Sequence, residues 1–166
     1  MDGLDLLSLC KINFETMFSD VFALVYLSTS LVAFDKARIN ELAQHASEKN
    51  KRLKISGYLC FKDGLFFQYL EGNQGNVVGL MDQIEKDSRH EVLNLIHIGN
   101  IKERKFRGWD MRYLEDGELK NMQLEDMFKW IITSMKTEIM AYESLKENIQ
   151  KMIQQIVLLR RKKLIS

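Results

Sequence analysis

Apolar and polar positions along the chain fall into blocks with different periods. Val21–Ser28 (VFALVYLS) is a nearly unbroken β-branched and aromatic run, the pattern of a central strand buried on both faces. Asp35 then stands where a helix N-cap stands, and Ile39, Leu42, Ala43 and Ala46 recur along one face of a helix that ends near Asn50. Ile55–Phe61 and Leu65–Leu70 are strand-like runs on either side of Lys62-Asp63-Gly64, and Asp-Gly between such runs predicts a tight hairpin. Gly72 and Gly75 break the pattern again. Val77, Leu80, Met81 and Ile84 predict a second amphipathic helix, ending near Asp87. Val92–Ile98 predicts a fourth strand, 99–107 a charged connection, and Trp109–Leu114 a short fifth strand.

The resulting order, β-α-β-β-α-β-β, predicts an α+β fold, a ferredoxin-like sandwich with both helices on one face of the sheet. After Glu115-Asp116-Gly117 the pattern becomes wholly helical, with expected helices over Leu119–Met135 and from Glu138 to about Arg161. The chain therefore divides into an N-terminal extension (1–20), a domain (21–114) and a two-helix C-terminal extension (115–166). Tyr142, Leu145, Ile149, Met152, Ile156 and Leu159 alternate spacings of three and four, a heptad-like seam. The seam is expected to cover the sheet face left bare by the two sandwich helices, with self-association into a homo-oligomer as a further use.

Lys+Arg number 24 and Asp+Glu 23, for a net charge of +1, so nothing in the balance favours nucleic acid or an anionic membrane. Arg160-Arg161-Lys162-Lys163 reads as a solvated charge run at a helix C-terminus. The two cysteines, Cys10 and Cys60, make neither a disulfide framework nor a zinc site, which suits a reducing compartment. No apolar run reaches the roughly 18 residues of a membrane span, and Asp2 and Asp5 stand where a signal peptide carries cations. A cytoplasmic protein is expected. GxGxxG, GxxxxGK[ST], HExxH, CxxC and GxSxG are all absent from the sequence, and His45, His90 and His97 have no metal-ligand spacing. No metal site and no enzyme activity are expected.

Polar residues do stand in apolar strands. Tyr26 interrupts the first strand, and Gln68 sits in FFQYLEG where a core strand favours Val or Ile. A buried glutamine must satisfy both a donor and an acceptor. It either knits the sheet to a helix or faces a polar ligand, and composition alone leaves both open.

Five segments resolve the choice by resemblance. Asn50 through Ile55-Ser56-Gly57-Tyr58-Leu59 resembles a segment ending in [IV]-[ST]-G-x-L. Asp63-Gly64-Leu65-Phe66-Phe67-Gln68-Tyr69-Leu70-Glu71-Gly72 resembles D-G-x-F-x-Q-x-L-E-G. Asp87-Ser88-Arg89-His90 resembles D-x-R-H, and Phe106-Arg107-Gly108-Trp109-Asp110-Met111 resembles F-x-x-W-x-M. Tyr26-Leu27-Ser28 resembles Y-S-S. With these five segments, beginning from Tyr26, in family order over residues 21–114, the chain is similar to BLUF domains, the sensors of blue light using FAD. The resemblance implies a non-covalently bound flavin between the two sandwich helices, with FAD expected and FMN or riboflavin as alternatives. It implies Tyr26 as electron and proton donor, and Gln68 between that phenol and the flavin. Asn50 would hold the ring's polar edge, Leu42 and Ile84 its two faces, and Arg89 and His90 the ribityl-phosphate side. Trp109, Met111 and Ser28 would relay the signal, although an aromatic Trp also serves as a simple lid on a core. Lys49 and Leu27 depart from the family pattern. A tail of about 50 residues resembles that of stand-alone members, which act on a separate effector or regulator protein. A flavin- or small-ligand-binding regulator without physiological light sensing is the competing reading.

Overall fold

The computed structural model describes residues 21–163; the extension 1–20 and the side chains of Arg161, Lys162 and Lys163 lie outside the described residues. Five strands, β1 (Val21–Ser30), β2 (Ser56–Lys62), β3 (Leu65–Asn73), β4 (His90–Ile101) and β5 (Arg112–Leu114), form one sheet in the order β4-β1-β3-β2-β5. Neighbours are antiparallel except β2 and β5. Helices α1 (Lys36–Arg52) and α2 (Gln74–Glu85) cover one face. Helices α3 (Asp116–Asn121), α4 (Glu125–Thr137) and α5 (Tyr142–Lys163) follow β5.

Local chemistry sets the boundaries. Asp35 caps α1 by accepting from the Arg38 amide at 2.8 Å. Asp63 and Gly64 take φ of 51° and 77°, the pair of left-handed residues that a two-residue hairpin matched to strand twist requires. On β2, a Cβ on Gly57 would stand 1.9 Å from the Tyr69 carbonyl oxygen, so the approach of β2 to β3 there depends on glycine.

Alternation along the strands sorts their residues between two cores. Phe22, Leu24, Tyr26, Leu59, Phe66 and Leu70 face α1 and α2, where they meet Ile39, Val77, Leu80 and Met81. Ala23, Val25, Leu27, Tyr58, Cys60, Phe67, Tyr69 and Ile96 face the other way and meet Phe128, Ile131 and Met135 of α4 and Leu145, Ile149, Met152 and Ile156 of α5. Leu145, Ile149, Met152 and Ile156 of the heptad-like seam therefore lie against the outer sheet face, while Tyr142 at its start is exposed and accepts from the His97 amide.

Several boundaries differ from the sequence reading; β4, expected over Val92–Ile98, runs from His90 to Ile101 and takes in the start of the expected connection. The expected helix Leu119–Met135 is broken into α3 and α4, because Gln123 turns through φ 57° and Glu115 and Glu118 form a separate capping box for α3. Glu138, expected to begin the last helix, instead ends α4 at φ 53°, and α5 starts only at Tyr142. The fifth strand is confined to Arg112–Leu114, because Phe106–Trp109 closes a turn through a 2.9 Å bond from the Trp109 amide to the Phe106 carbonyl.

Candidate functional site

Antiparallel register places Tyr26 of β1 directly opposite Gln68 of β3, with both side chains toward α1 and α2. Both are buried. The Tyr26 hydroxyl donates to Gln68 Oε1 in a short hydrogen bond, and Gln68 Nε2 donates to Met111 Sδ at 3.2 Å. The amide thus uses its acceptor toward β1 and a donor toward the approach to β5. Burial, with Asp87 adding to it, pushes the Tyr26 phenol well above its ordinary range.

A cavity of about 200 Å³ opens beside this pair. Its floor is Tyr26, Leu59, Phe66 and Gln68 from the sheet; α1 contributes Leu42, His45, Ala46, Lys49 and Asn50; Leu80, Gln83 and Ile84 come from α2; Asp87, Arg89 and His90 close one end. The helical stripes explain the placement. Ile39 and Ala43 are buried while Leu42 and Ala46, on the same face of α1, are half-buried at the cavity; on α2, Ile84 continues the buried stripe of Val77, Leu80 and Met81 in the same way.

Polar groups at the cavity are incompletely paired. Asn50 is 1% exposed, yet its Nδ2 meets no hydrogen-bond partner among the described residues, and neither does His90 Nδ1. The His90 ring lies nearly parallel to Tyr26, with centroids 6.4 Å apart, and burial lowers its pKa, which favours the neutral imidazole. At the rim, Lys49 Nζ of α1 donates to Gln83 Oε1 of α2 at 2.6 Å, a bridge between the two helices.

Arg89 turns back onto Asp87 through bonds of 2.6 to 3.1 Å. The Arg89 side-chain hydrogen bonds hold the Asp87 carboxyl at about 2, below its ordinary 3.8, against an opposing effect of burial. The folded-state pKa lies below the unfolded one, so the pairing contributes stability above pH 3.8 that is lost as the pH falls through 2. Asp87→Asn is accordingly expected to lower the melting temperature slightly at neutral pH, since the pair is largely exposed. Melting curves at successive pH values check this: the gap from the native protein should close between pH 3.8 and 2.

The predicted relay residues separate. Met111 is buried in the inner core and touches Gln68. Trp109 packs against the outer core, stacked on Phe106 at 5.2 Å, with the Arg112 and Arg160 guanidinium groups over its ring at 5.0 and 4.8 Å. Ser28 is buried with its Oγ unpartnered among the described residues, opposite Phe66 and Val92 and outside the cavity lining. His45, Lys49, Gln83 and Asp87 line the cavity but were not assigned to it from sequence. Asp87 carried a signal, its place in the D-x-R-H segment; Lys49 and Gln83 meet only through the packing of two helices.

Comparison with known proteins decides what this arrangement is. The sequence model of the sensors of blue light using FAD matches residues 21–112. The chain belongs to the BLUF family. Residues 21–112 of this BLUF protein hold the whole sheet up to the first residue of β5, together with α1, α2 and every cavity residue named above. Among curated relatives it is 31% identical over 88 residues to the photoactivated adenylate cyclase subunit beta of Euglena longa, covering 53% of this chain and 10% of that one. It is 28% identical over 120 residues to the alpha subunit of Euglena gracilis, covering 71% and 12%. The chain thus spans about a tenth of the length of these relatives. A photo-activated state of BlsA is similar at 25% identity and TM-score 0.60, covering 80% of this chain and 94% of that one. The dark-state structure of the BLUF protein BlrB shares the fold, at 22% identity and TM-score 0.63, covering 84% and 97%.

The residues present fit the flavin of the family. The unpartnered donor of Asn50 suits the polar edge of an isoalloxazine ring, the Gln68 side chain lines the same cavity, and Leu42 and Ile84 supply apolar walls from the two helices. Among the described residues, no helix is long and apolar enough to cross a membrane.

Proposed function

We propose that this protein is a non-enzymatic blue-light photoreceptor that binds FAD non-covalently between α1 and α2 and signals to a separate effector protein. The observation that carries this reading is the buried chain Tyr26–Gln68–Met111 at the wall of the cavity. A bound flavin supplies blue-light absorption and an excited state that accepts an electron. Tyr26 would be the donor: the phenol, held protonated by burial, can part with an electron only as its proton moves along the hydrogen bond to Gln68 Oε1. Return of electron and proton to Tyr26 would leave no net oxidation. Gln68 is left rotated or in its other amide tautomer, so its donor and acceptor are exchanged. Inside a low-dielectric core such an exchange carries more energy than in water.

Asn50 would hold the polar edge of the ring, Leu42 and Ile84 would supply its apolar walls, and Arg89 and His90 would lie toward the ribityl-phosphate side. Met111 feels the exchange directly through its bond from Gln68 Nε2. From there the path runs to β5 and Trp109. Arg160 of α5 stacks on Trp109 and donates to the Arg107 carbonyl at 2.5 Å, which links the approach to β5 with the C-terminal helix. The effector surface lies on the domain 115–166, and exposed Trp130 and Leu158 on α4 and α5 are suited to a partner or to a second copy of this chain.

Purified protein is expected to be yellow, to release FAD on denaturation, and to show an absorption band that moves to longer wavelength under blue light and reverts in darkness. Absorption spectroscopy with chromatography of the released flavin checks all three. Colourless protein that takes up neither FAD, FMN nor riboflavin overturns the reading, and flavin binding without a light-induced shift favours the light-independent regulator instead.

A further inference from the structure

Glu71 lies three residues beyond Gln68 on β3, on the opposite face of the sheet, and is fully buried. Four donors converge on its carboxylate. The Ser56 hydroxyl reaches Oε1 at 2.9 Å and the Phe106 amide at 2.6 Å; the Tyr69 hydroxyl reaches Oε2 at 3.0 Å and the Lys105 amide at 2.7 Å. These fill the acceptor sites of an ionised carboxylate. Arg104 strengthens the same junction, donating to Ser56 Oγ at 2.9 Å, to the Glu71 backbone carbonyl at 3.1 Å, and to the Lys54 carbonyl. The run Arg104–Phe106 is thereby fastened where β2 begins and β3 nears its end, and the Phe106 ring is buried against Tyr58 and Tyr69 at 5.1 and 5.3 Å.

This junction sits upstream of the residues that meet Gln68. Trp109 stacks on Phe106, its carbonyl accepts from the Gly57 amide at 2.9 Å, and Met111 follows with its sulfur on the Gln68 amide. A connection between β4 and β5 that could flex at Lys105 and Phe106 would absorb a small displacement at Met111. A connection held there must pass the displacement on, to Trp109 and to the Arg160 stacked on it.

We propose that Glu71 is a positioning residue for signal output: its carboxylate clamps the Lys105 and Phe106 amides so that movement at Met111 is transmitted to α5. This rests on the light-sensing function proposed above. It assigns Glu71 no part in the absorption change itself, since no bond of its side chain reaches Tyr26 or Gln68.

The test is Glu71→Gln in the full chain. Whichever way the new amide turns, its NH₂ faces a backbone N–H, because each carboxylate oxygen holds one. Glu71→Asp is the second variant, used where Glu71→Gln does not fold; it keeps the charge and draws the carboxylate back by one methylene from the two amides it holds. Dark absorption, the light-induced shift and the hydrogen exchange of residues 142–163 are measured in darkness and under blue light. The native protein is expected to shift and to change exchange in α5 on illumination. A folded variant should stay yellow and keep the shift, yet lose the light-dependent change in α5. A purely structural role would lower stability without separating these two readouts. Retention of the α5 response at native size overturns the proposal, as does loss of the shift in a folded variant, or a native protein that shifts without any response in α5. A native protein that does not shift at all is a different failure, that of the light-sensing function itself.

Discussion

Replacement of Gln68 by Leu is expected to leave the protein folded and yellow in the dark while abolishing its spectral response to blue light. Leucine keeps most of the volume at a buried position, so the core is not opened. What it removes is the one group that accepts from Tyr26 and donates to Met111. The Tyr26 hydroxyl then has no acceptor in a desolvated site, at a cost of about 1–3 kcal/mol. Stability should therefore fall measurably, while the light-induced shift disappears entirely. Tyr26→Phe is the complementary change: it deletes the donor, leaves Gln68 in place and should give the same spectral silence. Absorption difference spectra before and after illumination decide the matter. If both variants still shift like the native protein, neither side chain is the switch, and the polar pair is a feature of the core alone.

Shortening the chain to residues 21–114 is expected to yield protein that aggregates or fails to unfold cooperatively, although the cavity and the family match lie almost wholly within that span. The outer sheet face presents Val25, Leu27, Phe67 and Tyr69, all at most 1% exposed in the full chain, and what covers them is α4 and α5. Without those helices a contiguous apolar patch of this kind meets water and becomes a site of association. A single substitution probes the same contact more gently. Phe128 of α4 packs on Phe67 of β3 at 5.3 Å and is 1% exposed, so Phe128→Ala should cost about 3–5 kcal/mol in chemical denaturation. A soluble, monomeric fragment 21–114 with a sharp melting transition would show the tail to be an accessory and would separate the two regions as independent units.

The cavity and the tail helices lie on opposite sides of one sheet. Even-numbered positions of β1 and β3 (Tyr26, Phe66, Gln68) look toward the cavity, and odd-numbered ones (Val25, Leu27, Phe67, Tyr69) look toward the tail helices. The sheet is therefore the wall shared by the cavity and the tail helices. Met111 on one side and Trp109 on the other, two positions apart, stand at the place where the chain crosses from one core to the other.

Much of this was legible from residue order alone. Strand and helix periods are local properties, and so were the hairpin at Asp63-Gly64, the cap at Asp35 and the stripes Ile39–Ala46 and Val77–Ile84. Tyr26 and Gln68 could be singled out because a polar side chain in an apolar strand must be satisfied from outside that strand. The seam on α5 announced that a second apolar surface existed for it to cover. Tertiary structure alone decided what those residues meet. The register that sets Tyr26 opposite Gln68, the sulfur that receives the Gln68 amide, and the four donors gathered on Glu71 all join positions far apart in the chain, and spacing carries no information on such distances. The break at Gln123 and the turn before β5 were hidden for a related reason. A left-handed φ at Gln123 or Glu138 carries no residue signature of the kind glycine gives.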